Sequence, residues 1–300
     1  MKKAKPIAAA ICCLMSLSAS GLAMAQPIAE DFQARCSISD ANGKFEFGGG
    51  RINGANADGA MGQLAGSIAL PLNCQVGLQL DGVLAKTDEL DQKSLSTRVF
   101  TRVPSAYMLG FYGEVGDFGN TKNTRLGFEG ESYFERLTVS AVGGWENNDT
   151  SDTGAFGAIK LSFYATDDFK IDMGVVHAFD SSFGLIGAEW QPNVFNASLF
   201  AQLKFGEDDF SSVTFGLRLP FGADRKSLLR RHREDGLENW SAILATMNQM
   251  KQETPVENEE DDVDDGNGNG DGDDGGDPGS MDDCPPRSFF EDGVCVPIDA

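Results

Sequence analysis

The sequence predicts an all-β chain whose antiparallel strands close as a transmembrane up-and-down β-barrel of about twelve strands, with eight to twelve fitting its length. Three observations lead there. Apolar and polar residues alternate with period two from residue 44 to residue 221. The connections between the alternating stretches are unequal, mostly longer after odd stretches and shorter after even ones. Residues 44–221 also divide into twelve stretches of about fifteen residues each with their turns, where a spanning strand needs ~9–11.

Residues 1–25 are expected to be removed. Lys2, Lys3 and Lys5 form a basic head, 7–22 is mostly apolar, and Ala23-Met24-Ala25 is a small-x-small cleavage site, which together make a secretory signal peptide. Cys12 and Cys13 leave with it, and Ala10-Ile11 before them lacks the small residue a lipoprotein signal places next to its Cys. The whole chain carries 24 Lys+Arg against 46 Asp+Glu, a net charge of −22 that repels phosphate and excludes nucleic acid as a partner. No run of 18 apolar residues follows the leader, so no transmembrane helix is expected. The four remaining Cys of an exported chain permit disulfides.

Residues 26–43 form an N-terminal segment, and the stretches then follow at about 44–54, 60–72, 74–87, 95–103, 105–116, 122–132, 136–146, 153–165, 168–179, 183–190, 194–205 and 210–221. In the third, Val76, Leu78 and Leu80 alternate with Gln75, Gln79 and Asp81. In the ninth, Phe169, Ile171, Met173 and Val175 alternate with Lys170, Asp172 and Gly174. A soluble sandwich shares this alternation but has no reason to alternate its connection lengths, whereas a membrane barrel has short turns at one end and longer loops at the other. The odd connections, such as Ala55–Gly59, Asp88–Ser94 and Asn147–Asp152, are therefore assigned to one face and the even turns to the other. Phe supplies 21 of the aromatic residues, against 3 Trp and 4 Tyr. The spacing of Phe195 from Phe205 and of Phe169 from Phe179 fits aromatic girdles at two interfaces. The polar face offers lumen-facing charges at Asp81, Arg98, Arg102, Glu114, Arg125, Glu129, Lys160, Lys204 and Arg218, and with Lys170, Glu131 and Asp172 on the same face the signs come near balance. Such a lining either closes a lumen with salt bridges or lines a narrow pore.

The twelfth stretch ends Thr214-Phe215-Gly216-Leu217-Arg218-Leu219-Pro220-Phe221. This resembles the terminal-strand assembly signal of bacterial outer-membrane β-barrel proteins, carried here by Thr214, Gly216, Leu219 and the aromatic Phe221. The resemblance covers residues 44–221 and departs from the pattern at Pro220, which removes a ladder donor, and in the 79 residues that follow Phe221. It implies a porin-like barrel in the cell outer membrane with both termini periplasmic. Its implied partners are outer-membrane lipids, the barrel-assembly machinery and small solutes or ions. Acidic residues beside the odd loops would make such a pore prefer cations. The alternatives are a non-transporting structural or adhesion barrel and a soluble periplasmic all-β binding protein.

Beyond the barrel, 222–252 is expected to be a helical periplasmic segment, with Arg225, Lys226, Arg230, Arg231 and Arg233 placed to meet phospholipid head groups. Residues 253–283 form an acidic linker, since 257–283 holds 13 acids and no Lys or Arg, and 284–300 is a small Cys-bounded tail. Asp265, Asn267, Asn269 and Asp271 open like a calcium loop, but Gly276 stands where a bidentate Glu is needed, so the site is at best a weak calcium candidate. Two local bridges are expected, Cys36–Cys74 at the periplasmic rim and Cys284–Cys295 in the tail. No cofactor and no catalysis are expected. His177 has no nucleophile two residues along its face, and His232 sits solvated among Arg230, Arg231 and Arg233.

Overall fold

Side chains at period two give each stretch one apolar and one polar face, and all twelve stretches become strands. These are β1 Asn42–Asn53, β2 Gly59–Pro71, β3 Val76–Thr87, β4 Asp91–Val103, β5 Tyr107–Phe118 and β6 Thr121–Tyr133, then β7 Leu137–Asn148, β8 Ser151–Thr166, β9 Phe169–Ala178, β10 Ser181–Trp190, β11 Ser198–Gly206 and β12 Ser211–Phe221. Each pairs antiparallel with its neighbour in sequence, and β12 closes on β1 with Gly43 opposite Phe221 and Gly50 opposite Thr214. The computed structural model describes residues 36–54, 58–88, 91–118, 121–149, 151–178, 181–192, 194–207, 209–222, 225–248, 288–291 and 294–297. They belong to two units, one up to Thr254 and one from Pro255. The second unit contributes a hairpin, β13 Ser288–Glu291 and β14 Val294–Pro297. Cys284 and the four calcium candidates Asp265, Asn267, Asn269 and Asp271 lie outside the described residues, as does Phe179.

The barrel's polarity is inside out. β4 alternates without a break: Gln92, Ser94, Ser96, Arg98, Phe100 and Arg102 are buried, while Leu95, Val99 and Val103 are exposed. Arg98 and Arg125 are 0% exposed, whereas Phe111 is 63% exposed. Phe111 meets the similarly outward Phe128 across β5–β6 in a tilted ring pair at 4.8 Å between centroids. A water-facing surface does not carry so continuous an apolar band. Hydrocarbon outside and polar groups inside is the arrangement of a barrel made to sit in a bilayer.

The expected asymmetry of the connections is absent. β4 begins at Asp91 and β6 at Thr121, so the odd connections shrink to 54–58, 88–90, 119–120, 149–150, 179–180 and 207–210. The even ones are 72–75, 104–106, 134–136, 167–168 and 191–197, and the last is longer than any odd one. Ladder hydrogen bonds are made by the backbone, so strands run on through polar residues once they leave the apolar zone. Opposite charges across the hairpin support them, as where Lys86 pairs with Asp91 at 2.9 Å. Phe195, expected at a strand end, lies instead in the 191–197 connection.

At the even-turn end, Cys36 is bonded to Cys74, as the sequence predicts. The bridge holds a short N-terminal segment under the barrel. Ser37 N–H donates to Cys74 O (2.8 Å), and Ile38 is fully buried. Gly77 admits that side chain, because a Cβ there would lie 2.7 Å from Ile38 Cδ1 and 2.8 Å from Phe100 Cζ. Closing a loop of 38 residues is worth about 3–4 kcal/mol by the chain-entropy model. Replacing both Cys by Ser should therefore lower the urea midpoint of the folded, fast-migrating gel band, and reductant should do the same to the parent. An unshifted midpoint in both would refute the stabilising role.

Candidate functional site

The lumen wall is built by register. Glu114 and Glu146 each sit directly opposite Arg125 on neighbouring strands, Glu46 opposite Arg218, and Glu189 opposite Lys170. Inward side chains that face each other across a ladder are within reach, and the opposite charges pair. Arg125 bridges Glu114 Oε1 at 2.9 Å and Glu146 Oε2 at 3.0 Å. Arg98 lies 3.3 Å from Asp81 and 3.8 Å from Glu129, and Arg218 joins Glu46 (2.9 Å) to Glu189. Asp81 also accepts from Ser67 Oγ and Gln79 Nε2, at 2.6 and 2.7 Å. Of the nine lumen charges named from the sequence, all except Arg218 are at most 4% exposed. These side chains are closed to solvent.

What fills the space is the chain itself. After β12, Gly222 adopts φ +80° where a Cβ would meet Ala41 O at 2.7 Å, and the chain turns back towards the barrel. Helix α1 (Leu228–Glu234) starts at Ser227, whose hydroxyl caps Arg230 N–H, and α2 (Trp240–Asn248) follows. The expectation of a segment lying outside against lipid head groups is overturned. Arg231 is buried against Glu189 (3.4 Å) and Ser198 (3.1 Å). Arg233 is fully buried, donates to Phe134 O (2.5 Å) and lies over the Tyr133 ring. Lys226 pairs with Asp235 at 2.5 Å, Arg230 with Glu234 at 3.0 Å, and Arg225 is exposed. His232 is not solvated among arginines either. Its Nδ1 lies 2.9 Å from Tyr164 Oη and its Nε2 3.5 Å from Glu189.

Between the helices, the wall reads the backbone of the entering segment. Gln79 makes two bonds with one residue: its Nε2 donates to Leu237 O (3.1 Å) and its Oε1 accepts from Leu237 N–H (2.5 Å). Lys44 Nζ donates to Leu237 O at 3.3 Å, Arg98 donates to Glu238 O, and Lys160 pairs with the Glu238 carboxylate. Arg102 holds the segments on either side of the barrel strands. Its guanidinium donates to Ser37 O (2.6 and 2.9 Å) and to Asp235 O (2.5 Å). Deeper in, Ser241 Oγ meets Tyr112 Oη (3.1 Å) and Ser96 Oγ (2.9 Å), and Lys204 Nζ donates to Ile243 O (3.3 Å). Trp240, Ile243 and Leu244, spaced on one helical face, join an apolar cluster with inward Val142, Phe156, Val176, Phe183 and Leu185.

This docking is not legible in local pattern, though a signal exists. β9 and β10 carry adjacent apolar pairs, Val175-Val176 and Leu185-Ile186, so both their faces are apolar over part of their length. An inward apolar patch in a polar lumen calls for an apolar occupant. A second missed feature lies on the outer face. His177 Nδ1 is 3.0 Å from Ser182 Oγ across the β9–β10 ladder. The sequence reading ends β9 at 179 and starts β10 at 183, which leaves Ser182 in a loop and hides the pair. Among the described residues no group of three or more His, Cys, Asp or Glu gathers as a metal site. Thr214 and Gly216 of the terminal-strand signal face inward, the latter against the Phe200 ring, while Phe221 stacks outward on Phe45 at 5.1 Å.

No protein-family model matches the sequence, and no curated relative is similar to it. Solved structures of similar architecture include a KdgM porin, 9% identical over 59% of this chain and 99% of that one with a TM-score of 0.49. An outer membrane channel from Pseudomonas putida F1 is 12% identical over 65% and 100%, with a TM-score of 0.47. An outer membrane phospholipase of Salmonella typhi, a dimer with bound calcium, is 10% identical over 64% and 94%, with a TM-score of 0.44. Architecture of this kind hosts unrelated functions.

Proposed function

We propose that the chain is a porin-like barrel of the outer membrane whose lumen is held shut by its own residues 225–248, and that displacing this segment opens a narrow diffusion path. The observation that carries the reading is the apolar exterior around a charged, self-occupied lumen. An anchor or adhesion barrel needs a filled interior but no exchange between wall charges and backbone carbonyls, whereas Gln79, Lys44, Arg98 and Lys204 all spend donors on main-chain oxygens. Such bonds are replaceable by water once the segment leaves, so the same wall serves a closed and an open state. With the segment displaced, acidic residues near the odd connections (Asp58, Asp88, Asp117, Asp149 and Asp209) would raise cation concentration at that mouth. Current through a planar bilayer tests the reading. Little current from the parent and a cation-shifted reversal potential from an opened variant are expected, and anion preference would remove the selectivity part.

A second reading is favoured by His177 and Ser182. A hydroxyl within hydrogen-bond reach of an imidazole is a nucleophile with its base. This pair lies on the outer face of the barrel near the end of the β9–β10 hairpin. Hydrolysis of a lipid ester by the purified protein that Ser182→Ala abolishes, together with loss of labelling by a fluorophosphonate probe, is the expected result under that reading. Equal, zero turnover in both proteins would eliminate it.

A further inference from the structure

The short segment before β1 and the segment docked in the lumen are joined through side chains of the wall. Arg102 donates to Ser37 O on one side and to Asp235 O on the other. Asn42, the first residue of β1, repeats the arrangement: its Nδ2 donates to Asp40 O (2.9 Å) and its Oδ1 accepts from Gly236 N–H (3.0 Å). Ile38 and Leu237 share one apolar cluster with Phe100, Met108 and Tyr133. Residues 37–40 therefore form part of the seat on which 235–237 rest. Two anchors keep them there, the run into β1 at Asn42 and the Cys36–Cys74 bridge. Ser39, Asp40 and Ala41 are exposed, whereas Ser37 and Ile38 are sealed, so the hold on the barrel is concentrated beside the bridge. Ser37 Oγ also donates to Gln75 O there, at 2.6 Å. With only the β1 anchor left, water competes for each of these hydrogen bonds and the segment frays from its loose end.

We infer that Cys36–Cys74 is a redox latch on the docked segment: a dithiol reductant that opens it loosens residues 37–40, and with them the seat of 235–237, so that residues 225–248 undock more readily. Cys74 is exposed and Cys36 half-buried, so a thiolate reaches the bridge without unfolding the barrel. One thiolate of the reductant attacks Cys74 Sγ, the bond to Cys36 Sγ breaks, and Cys36 leaves as a thiolate that takes a proton. The second thiolate of the reductant attacks the mixed disulfide and releases Cys74, which is protonated in turn. Two electrons and two protons pass from the dithiol to the bridge, leaving two cysteine thiols and an oxidised reductant. The ring does not need the bridge. The β2–β3 turn that carries Cys74 is closed by its own bonds, Leu72 N–H to Val76 O (3.0 Å) and Val76 N–H to Asn73 Oδ1 (2.9 Å). The inference deepens the gated reading, on which its effect on current rests, but its effect on docking stands without conduction.

Hydrogen–deuterium exchange of the full-length protein in detergent tests it, with Cys284→Ser and Cys295→Ser present so that only this bridge responds to dithiothreitol. The amides of Gly236 and Leu237, which donate to Asn42 and Gln79, report on docking. Once mass spectrometry shows two free thiols, exchange over 235–241 is expected to quicken at least tenfold while the β8–β10 ladders keep their rates, and reoxidation should restore it. Cys36→Ser with Cys74→Ser should reproduce the reduced state. Ile38→Gly should quicken the same amides with the bridge intact, because it removes the side chain that shares a cluster with Leu237. Unchanged exchange over 235–241 in any of the three overturns the inference. Equal quickening of β8–β10 overturns it as well, since the bridge would then staple the ring and not the docked segment. So does a bridge that dithiothreitol leaves intact in the folded barrel. Current through a planar bilayer separates the two readings: faster exchange over 235–241 with no rise in current sinks the gating proposal and leaves the latch standing.

Discussion

Undocking residues 225–248 should turn a silent barrel into a conducting one. The variant carries Leu237→Asp, Trp240→Asp and Leu244→Asp, each side chain being at most 2% exposed in the parent. Burial of a large apolar side chain is worth ~1.5–3 kcal/mol, so removing three costs docking about 5–9 kcal/mol before any penalty for the new carboxylates. The carboxylates at 240 and 244 would enter the cluster around Phe156 and Leu185, and the one at 237 the separate cluster of Ile38, Phe100 and Met108, which raises the cost further. The strand registers and wall ion pairs are untouched, so heat-modifiable migration should remain. Single-channel current in a planar bilayer is expected to rise at least tenfold over the parent, as a path about one helix wide, ~10 Å, is vacated. A variant whose segment is cut by protease in the folded barrel, yet whose current matches the parent's, would refute the gate.

The second large effect concerns Arg125. It is fully buried between Glu114 and Glu146, with Arg125 and both carboxylates facing one lumen wall. Arg125→Leu leaves two buried carboxylates sharing no cation, and breaking a buried pair in this way costs about 3–5 kcal/mol. The urea midpoint of the folded band should fall accordingly. Adding Glu114→Gln and Glu146→Gln to Arg125→Leu should recover most of the loss, because the penalty belongs to the unpaired charges and not to the missing guanidinium. An unchanged midpoint for Arg125→Leu would mean that water, rather than Arg125, carries these carboxylates.

Much of the barrel is legible in the chain before it folds. A period of two over residues 44–221 is a local property, and antiparallel neighbours pair in sequence order, so about twelve strands and the sharing of one polar face by Asp81, Arg98 and Arg125 follow from alternation, while the inward direction of that face also needs the ring to close. Cys36 and Cys74 are likewise brought together by the ends of successive elements. The expected difference in connection length failed because polarity marks where a strand leaves the apolar zone, not where its backbone ladder stops. Asp91-Gln92-Lys93-Ser94 reads as loop and folds as the start of β4.

What the sequence by itself determined is therefore the wall: about twelve alternating strands in sequence order and the sign of each charge on their polar face, all set by neighbours along the chain or across one hairpin. What only the tertiary structure decided is the occupant. Lys44 meets Leu237 across 193 residues and Gln79 meets it across 158, through hydrogen bonds to a backbone that has no side-chain signature. Trp240, Ile243 and Leu244 form an apolar helical face that any surface could have covered. The inward Phe156, Val176 and Phe183 became that surface only once the ring had closed, because a patch spread over β8, β9 and β10 is continuous in space and not in sequence.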